Sequence, residues 1–168
     1  AELGPSISAQ LVSINSRTDW AVPDTPSQRF SRPRSVSWED SMPRQLELES
    51  GAWWNATTNE AVVSVSENAA RVLDLRLGSQ LEFSITNRPV LAHVVAIHRQ
   101  SGFRATPEAD FIFNHATLAD FPVIYSGGVR VEADQAGAIQ RAIFKRFPTV
   151  TAVNIADVLD IVQQVIDQ

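Results

Sequence analysis

The chain has 168 residues, a hydrophobic fraction of 44% and a formal net charge of −5. These totals allow one ordinary domain or two small lobes around an apolar core. They exclude a disulfide framework and thiolate metal sites, because cysteine is absent, and they argue against nucleic-acid binding, because no run of basic residues is present.

The first third of the chain predicts short strands separated by irregular segments. Strands are expected at residues 7–14 and 35–39, with an irregular loop over residues 15–34. Leu46 and Leu48 alternate with glutamates until Gly51 ends the pattern. Adjacent side chains on an extended strand point in opposite directions, so one of Trp53 and Trp54 should lie in the core and the other under a loop or against a partner.

The middle of the chain is the most patterned region. Residues 61–65 predict a buried strand, and Ser66 is placed to cap a short helix that ends before a turn at Gly78. Alternating Leu81, Phe83 and Ile85 predict a half-buried strand. Asn87 can adopt a left-handed turn conformation, and residues 90–97 should return as a strand buried on both faces.

The last third predicts a short strand at residues 111–113 inside a long connection, and then strands and helices. Strands are expected at residues 129–131 and 149–153. Asp134 should cap a helix over residues 135–146 that Pro148 ends. Asn154 should cap a second helix whose apolar residues follow helical spacing: Ile155, Val158, Leu159, Val162, Val165 and Ile166.

Motifs that carry chemistry are missing from the sequence. It contains neither the G-x-S-x-G nucleophile motif nor a glycine-rich phosphate loop. His93 and His98 should point to opposite faces of a strand, so they do not share a metal site. We therefore predict no catalytic, cofactor-binding or metal-binding residue, and we predict that the protein is not an enzyme.

Several segments, taken in order, resemble the large extracytoplasmic domain of FtsX-like, MacB-type ABC transporter permeases. They are LVSIN (11–15), SVSWEDSMP (35–43), LESGAWW (48–54), residues 63–99, DFIFNHATL (110–118) and residues 145–168. The most specific elements are the G-x-W-W group, the helix followed by LxLxLGxxLxF, and the FPxVTxxN sequence that leads into the last helix.

The resemblance implies an α+β fold, the MacB-like periplasmic core domain. A porter-like α/β lobe would be built from both chain ends, residues 1–45 and 120–168, and residues 46–119 would form an inserted β-rich lobe. The domain would lie between the first and second transmembrane helices of the permease. The last helix would continue as a stalk, and its candidate stalk contacts are Ile155, Val162 and Ile166. The candidate partner contacts are Trp53 and Trp54.

The resemblance also implies a mechanical role on the extracytoplasmic (periplasmic) side of the bacterial inner membrane. A separate cytoplasmic ATP-binding-cassette subunit would bind and hydrolyse ATP, so this domain would need no cofactor. The rest of the permease, paired with a second copy, would transmit the resulting motion to the outer domain. That domain would act on an exported lipid, lipoprotein or peptide, or on a periplasmic partner protein.

Two other classes of protein stay open. Residues 61–97 also resemble the helix, turn and strand of cradle-type β-barrels, which occur in soluble ligand-binding and enzyme domains. A secreted hydrolase is the third possibility.

Overall fold

The computed structural model describes residues 4–101, 109–129 and 131–155. They belong to two compact units, one within Ala1–Gly128 and the other within Val129–Gln168. No helix in these described ranges is long and apolar enough to cross a membrane.

The first unit is built mainly from strands. The strands are β1 (Gly4–Ile14), β2 (Arg34–Trp38), β3 (Leu46–Gly51), β4 (Val62–Ser66), β5 (Gln80–Ile85), β6 (Arg88–Gln100), β7 (Phe111–Phe113) and β8 (Ile124–Ser126). The helical elements of this unit are a 3-10 helix (Pro26–Ser31), α1 (Glu67–Leu73) and α2 (His115–Leu118). The second unit contains α3 (Ala136–Arg146).

Six of the strands close into a barrel. Going round the ring, β1 pairs with β2, β2 with β7, β7 with β4, β4 with β6, β6 with β5, and β5 with β1. The β2–β7 and β4–β6 pairs are parallel and the other four are antiparallel. Outside the ring, β3 extends from β6 and β8 from β1. Closure leaves the six ring strands paired on both sides, which satisfies their backbone groups.

Aromatic side chains fill the barrel. Phe83 makes edge-to-face contacts with Phe111 and Phe113, with ring centroids 5.1 and 5.2 Å apart. Phe30, from the 3-10 helix, packs against Phe111 at 6.3 Å. All four rings have no exposed surface. The interior is therefore a packed core, in which close-fitting side chains contribute most of the stabilisation.

The β5–β6 hairpin confirms the strongest local prediction. Thr86 and Asn87 have φ angles of 49° and 61°, the left-handed pair that a tight two-residue hairpin requires. Leu81, Phe83 and Ile85 have no exposed surface, as the alternating pattern predicts. The predicted burial of both faces of the return strand is wrong, because Leu91 on the outer face is 58% exposed. That face of the strand is only partly covered by other elements.

The tail differs from its predicted pattern. The α3 helix is present and ends two residues before Pro148, but its first cap residue is Gln135, and no side chain caps it. Residues 149–153 do not form a strand, and neither do the described residues 129 and 131. Among the described residues of the second unit, the apolar alternation in these segments has no neighbouring strand to pair with, and strand pairing is what stabilises such a segment. Residues 156–168 lie outside the described residues.

The barrel combines segments that the resemblance assigns to separate lobes. Strands β1 and β2 come from residues 1–45, and β4 to β7 come from residues 46–119. All six belong to one closed ring. The division between compact units lies at Gly128 and Val129, and the lobe boundary at residue 45 stays a prediction.

Candidate functional site

An open groove of about 500 Å³ lies on the outside of the first unit. One wall is the loop that follows β1, and the other is the C-terminal end of α1. Apolar side chains form part of its lining, and polar side chains form the rest; the apolar ones include Ile14, Trp20, Val22, Val72 and Leu73, and the polar ones Asn15, Arg17, Asp19, Thr25, Ser27 and Asp74.

Backbone geometry holds the two walls in place. Asn15 and Ser16 have positive φ angles of 49° and 65°, which turn the chain sharply out of β1. The Asn15 side chain accepts a hydrogen bond from the Gln80 backbone N–H at 2.8 Å, which ties the turn to β5. Asp74 (φ 53°) ends α1 in the left-handed conformation typical of helix ends. The groove is therefore built from fixed turns.

Trp20 forms the main apolar surface of the groove. Its indole N–H donates to the Val12 carbonyl at 3.0 Å, which fixes the orientation of the ring. The ring is also packed against the barrel core and only partly buried. An oriented, half-exposed indole presents a flat apolar surface to a binding partner at low entropic cost, since it has few rotatable bonds to immobilise.

Two charged residues of the groove, Arg17 and Asp19, are paired with each other. The Arg17 guanidinium donates to the two carboxylate oxygens of Asp19 at 3.1 and 2.9 Å. This hydrogen bonding and the adjacent positive charge lower the pKa of the Asp19 carboxyl. Both side chains are largely exposed, so their pairing adds little stability. The lining of the groove thus combines apolar side chains with the exposed, paired Arg17 and Asp19.

The two tryptophans predicted as partner contacts lie beside β3 and β6. Gly51 (φ 80°) brings the chain against β6 so closely that a Cβ atom there would lie 2.1 Å from the Val95 carbonyl oxygen. Beyond Gly51 the chain is no longer extended. The Trp53 and Trp54 rings consequently stack on each other, with centroids 4.2 Å apart and planes inclined by 25°. The expectation that they point in opposite directions is wrong, because it assumed a continuing strand.

Trp54 has a structural role. It is 9% exposed, and its indole N–H donates to the Glu39 carbonyl at 2.8 Å. It packs in a small cluster on the outer face of the barrel with three other buried side chains, Leu46, Val62 and Ile112. Trp53 is partly buried against this cluster, and its indole nitrogen is buried without a hydrogen-bond partner in the described part of the chain. Only Trp53 keeps a surface that a partner could contact.

The predicted stalk contacts are mostly outside the described residues. Ile155 is 56% exposed. Val162 and Ile166 fall in residues 156–168, which the structure does not describe. The stalk role of these three residues stays a prediction.

A serine and a histidine meet inside the barrel wall. The Ser64 hydroxyl lies 2.7 Å from Nδ1 of His98, and Nε2 of His98 lies 2.9 Å from the Ala109 carbonyl oxygen. A carbonyl can only accept, so Nε2 carries the proton, and in the neutral ring Nδ1 accepts from the Ser64 hydroxyl. Burial lowers the pKa of His98, partly offset by the Ala109 hydrogen bond and by the charge of Asp110.

This pair has no access to a substrate. Ser64 and His98 each have no exposed surface. A nucleophile must reach the atom that it attacks, and the fully buried Ser64 hydroxyl does not. The geometry is that of a satisfied internal hydrogen-bond network, which links β4, β6 and Ala109 in the segment before β7.

The other histidines are placed separately. The pairing register of β6 with β4 shifts between Val94 and Ala96, so His93, opposite Val62, and His98, opposite Ser66, lie on the same face of the strand. The predicted placement on opposite faces is wrong, and 41% of the His93 side chain is exposed. His115 stacks on Trp38, with ring centroids 4.3 Å apart. Within the described ranges, no group of three or more histidines, aspartates or glutamates could hold a metal ion.

The groove was missed by reasoning from the sequence. Residues 15–34 read as an irregular loop because they are rich in Pro, Ser and Asp. A large aromatic residue, Trp20, within such a polar loop was the available signal. Asn15 before a polar segment was a second one, since asparagine is tolerant of left-handed turns.

Comparisons with known proteins find little similarity to this chain. No protein-family model and no curated protein matches the sequence. One solved structure that shares some similarity is described as a "domain of a putative Permease protein" from Porphyromonas gingivalis. It is 13% identical with a TM-score of 0.41, and the match covers 86% of this chain and 63% of that chain.

Proposed function

We propose that this chain is a non-catalytic, extracytoplasmic domain of an FtsX-like, MacB-type ABC transporter permease, which handles an exported lipid, lipoprotein or peptide, or a periplasmic partner. One observation carries the binding role: the barrel interior is filled by aromatic side chains, while a preformed, partly apolar groove is open on the outside. Recognition would then take place on the outer surface. The order of the resembling sequence segments supports the transporter context.

The disposition of the polar groups supports a role without catalysis. The buried Ser64–His98 pair and the paired Arg17 and Asp19 each have their hydrogen-bonding partners within the fold. The MacB-like two-lobe fold, the inner-membrane location and the pairing with a second permease copy are parts of the same proposal.

The proposed mechanism is transmission of motion. ATP hydrolysis in the separate cytoplasmic subunit would move the membrane helices, and the segment that contains Ile155, Val162 and Ile166 would carry the movement outward as a stalk. The groove beside Trp20 would then approach or leave its cargo or partner. This domain itself would bind no cofactor.

A distance measurement in the full permease tests this mechanism. The chain has no cysteine, so Ile155→Cys introduces the only thiol of this domain and can carry a spin label. We expect the label-to-label distance between two permease copies, measured by double electron–electron resonance, to change when ATP is trapped on the cytoplasmic subunit. A catalytically inactive cytoplasmic subunit that cannot bind ATP provides the control.

Two results would contradict the transporter proposal. One is a distance distribution that stays the same with and without trapped ATP. The other is a full-length protein that neither associates with membranes nor co-purifies with an ATP-binding-cassette subunit. Polar replacement of Ile155, Val162 and Ile166 together is expected to lower the transport achieved per ATP hydrolysed, because the stalk would lose its apolar packing face.

A second candidate function is that of a ligand-binding cradle-type β-barrel. The closed six-stranded ring and the groove beside Trp20 favour it. Quenching or enhancement of tryptophan fluorescence by a small-molecule library separates the candidates. A ligand whose signal is lost in Trp20→Phe and kept in Trp53→Phe would favour this function.

A further inference from the structure

The second unit exposes a run of large apolar side chains. Phe144 is 70% and Phe147 is 52% exposed, and no residue of α3 is buried. Val150, Val153 and Ile155 continue the run beyond the helix, each about half exposed or more. Contiguous apolar surface of this kind marks a place where another apolar phase or molecule binds.

Basic residues flank the apolar face of α3. Ala136, Ile139, Ile143 and Phe147 recur at helical spacing and so share one face. Phe144 lies beside Phe147 and widens this face. At 3.6 residues per turn, Arg146 then falls at one border of the widened face, Arg141 falls about 60° beyond Phe144 at the other, and Lys145 falls on the opposite side. The sequence has no acidic residue from Gln135 to Ile155, although the whole chain has a net charge of −5.

The apolar face is only partly used within the unit. The Gln140 amide donates to the Ala152 carbonyl at 3.3 Å, which brings the following segment beside the helix. Ala136, Ile139 and Ile143 are half-buried as a result. Phe144 and Phe147 stay exposed, and the Arg146 guanidinium lies 5.8 Å from the centre of the Phe147 ring. The exposed aromatics and the basic side chains therefore form one continuous surface.

We propose that this surface, made by α3 and residues 147–155, binds an anionic lipid bilayer. The helix would lie in the plane of the membrane surface. Phe144 and Phe147 would enter the boundary between headgroups and acyl chains, and Arg141 and Arg146 would contact lipid phosphates. Apolar burial and attraction to anionic lipid are the two terms that hold an amphipathic helix on a membrane.

Charge complementarity favours a membrane over a protein groove as the occupant. A helix that enters a protein groove presents a narrow apolar stripe, and its charges match those of one partner. Here cations border the apolar face on both sides, and apolar residues continue past the end of the helix. A broad anionic surface matches both features. This inference does not depend on the transporter proposal, because it concerns only the second unit.

Vesicle sedimentation with the 168-residue chain tests the proposal. We expect the chain to pellet with vesicles of equal parts phosphatidylglycerol and phosphatidylcholine, and to bind pure phosphatidylcholine vesicles roughly tenfold less tightly. Binding to the anionic vesicles should weaken as salt is raised, because salt screens the phosphate contacts.

Two double variants separate the contribution of apolar burial to vesicle binding from that of attraction to anionic lipid. Phe144→Ser with Phe147→Ser should weaken binding to anionic vesicles by roughly tenfold through lost apolar insertion. Arg141→Gln with Arg146→Gln should cause a similar loss and should also flatten the salt dependence. These side chains are exposed, so circular dichroism and the melting temperature should stay unchanged in both variants.

Matched controls come from the first unit. Leu91→Ser with Ile124→Ser removes two exposed apolar side chains, and Arg44→Gln with Arg76→Gln removes two exposed cations. Neither pair should change vesicle binding. Equal loss in a control pair would overturn the proposal by showing non-specific adsorption.

Other occupants of the surface would give different results. Absence of binding to both vesicle types would overturn the proposal. So would a dimer, detected by light scattering, that the Phe144→Ser and Phe147→Ser variant dissociates, because a second copy would then cover this face.

Discussion

His98 is the buried titratable residue whose environment most clearly alters its protonation. It has no exposed surface, and burial lowers its pKa below the ordinary value of 6.5. In the unfolded chain the imidazole takes up a proton as the pH falls through about 6.5, whereas in the folded chain it does so only at lower pH. The stabilisation that comes from keeping His98 neutral is therefore fully present above about pH 6.5. It is lost as the pH falls from there through the lower pKa of the folded state.

We expect the free energy of unfolding to decrease between pH 7 and pH 5, by up to about 1.4 kcal/mol per pH unit from this one group. Urea denaturation at a series of pH values measures the slope. His98→Gln should be less stable at pH 7, yet its stability should depend less on pH. A pH dependence of stability in His98→Gln as steep as that of the parent protein would contradict this assignment.

Gly51 shows how one residue can determine the placement of several others. Its left-handed φ and its contact with the β6 backbone exclude any side chain. The chain leaves β3 at this point, and the two tryptophans that follow stack instead of diverging. The G-x-W-W element on which the family resemblance partly rests is therefore explained by packing, with Trp54 as an anchor of the outer cluster.

At the scale of elements, α1 depends on the serine that precedes it. The Ser66 hydroxyl accepts from the Ala69 backbone N–H at 3.1 Å and donates to the Asp110 carboxylate at 2.7 Å. Asp110 in turn lies 3.1 Å from a guanidinium nitrogen of Arg34, in an ion pair whose angle does not make a hydrogen bond. Burial lowers the pKa of Arg34, and the Asp110 charge opposes that effect. One hydroxyl thus connects the helix start to β7 and β2.

Ser66→Ala should lower the free energy of unfolding by about 2–4 kcal/mol, since it removes a helix cap and a buried hydrogen bond to a charged group. Chemical denaturation measures the loss. Ser84→Ala, at a half-buried serine of β5, is the matched control and should change stability by less than about 0.5 kcal/mol. A loss in Ser66→Ala no larger than in the control would show that neither bond contributes.

The two parallel strand pairs could not be read from local patterns. Strands β2 and β7 are separated by more than 70 residues. Period-two alternation indicates which face of a strand is buried, but it does not indicate the neighbouring strand.

At the scale of the whole molecule, the two units differ in how much surface they bury. The barrel has a continuous core of fully buried side chains, whereas α3 has none. An 11-residue helix without a fully buried side chain is only marginally stable in water, because few packing contacts offset its conformational entropy.

We expect backbone amides of β4, β5 and β6 to exchange with deuterium at least about a thousandfold more slowly than those of α3 in the free protein. Hydrogen-exchange mass spectrometry at neutral pH measures the ratio. Anionic vesicles should slow exchange in α3 and leave the barrel strands unchanged. Equal protection of α3 and the barrel without vesicles would show that α3 is covered in the free chain.

The sequence by itself determined the features that depend on neighbouring residues. These include the left-handed turn at Asn87, the Ser66 cap, the buried face of β5, the strand at Phe111–Phe113 and the extent of α3. Dihedral preferences, caps and alternation act over a few residues, so the printed order of residues is enough to reveal them.

Only the tertiary structure decided the closure of the barrel, the stacking of Trp53 on Trp54, the Ser64–His98 contact and the groove beside Trp20. Each of these features depends on which distant segments pack together, or on the direction that the chain takes after a turn, and local sequence patterns specify neither. Ser64 and His98, for example, are 34 residues apart. The physical reason is that strand pairing and side-chain burial are determined by the packing of the whole chain around one core. A single close contact, such as that of Gly51 with β6, can change the path of the residues that follow it.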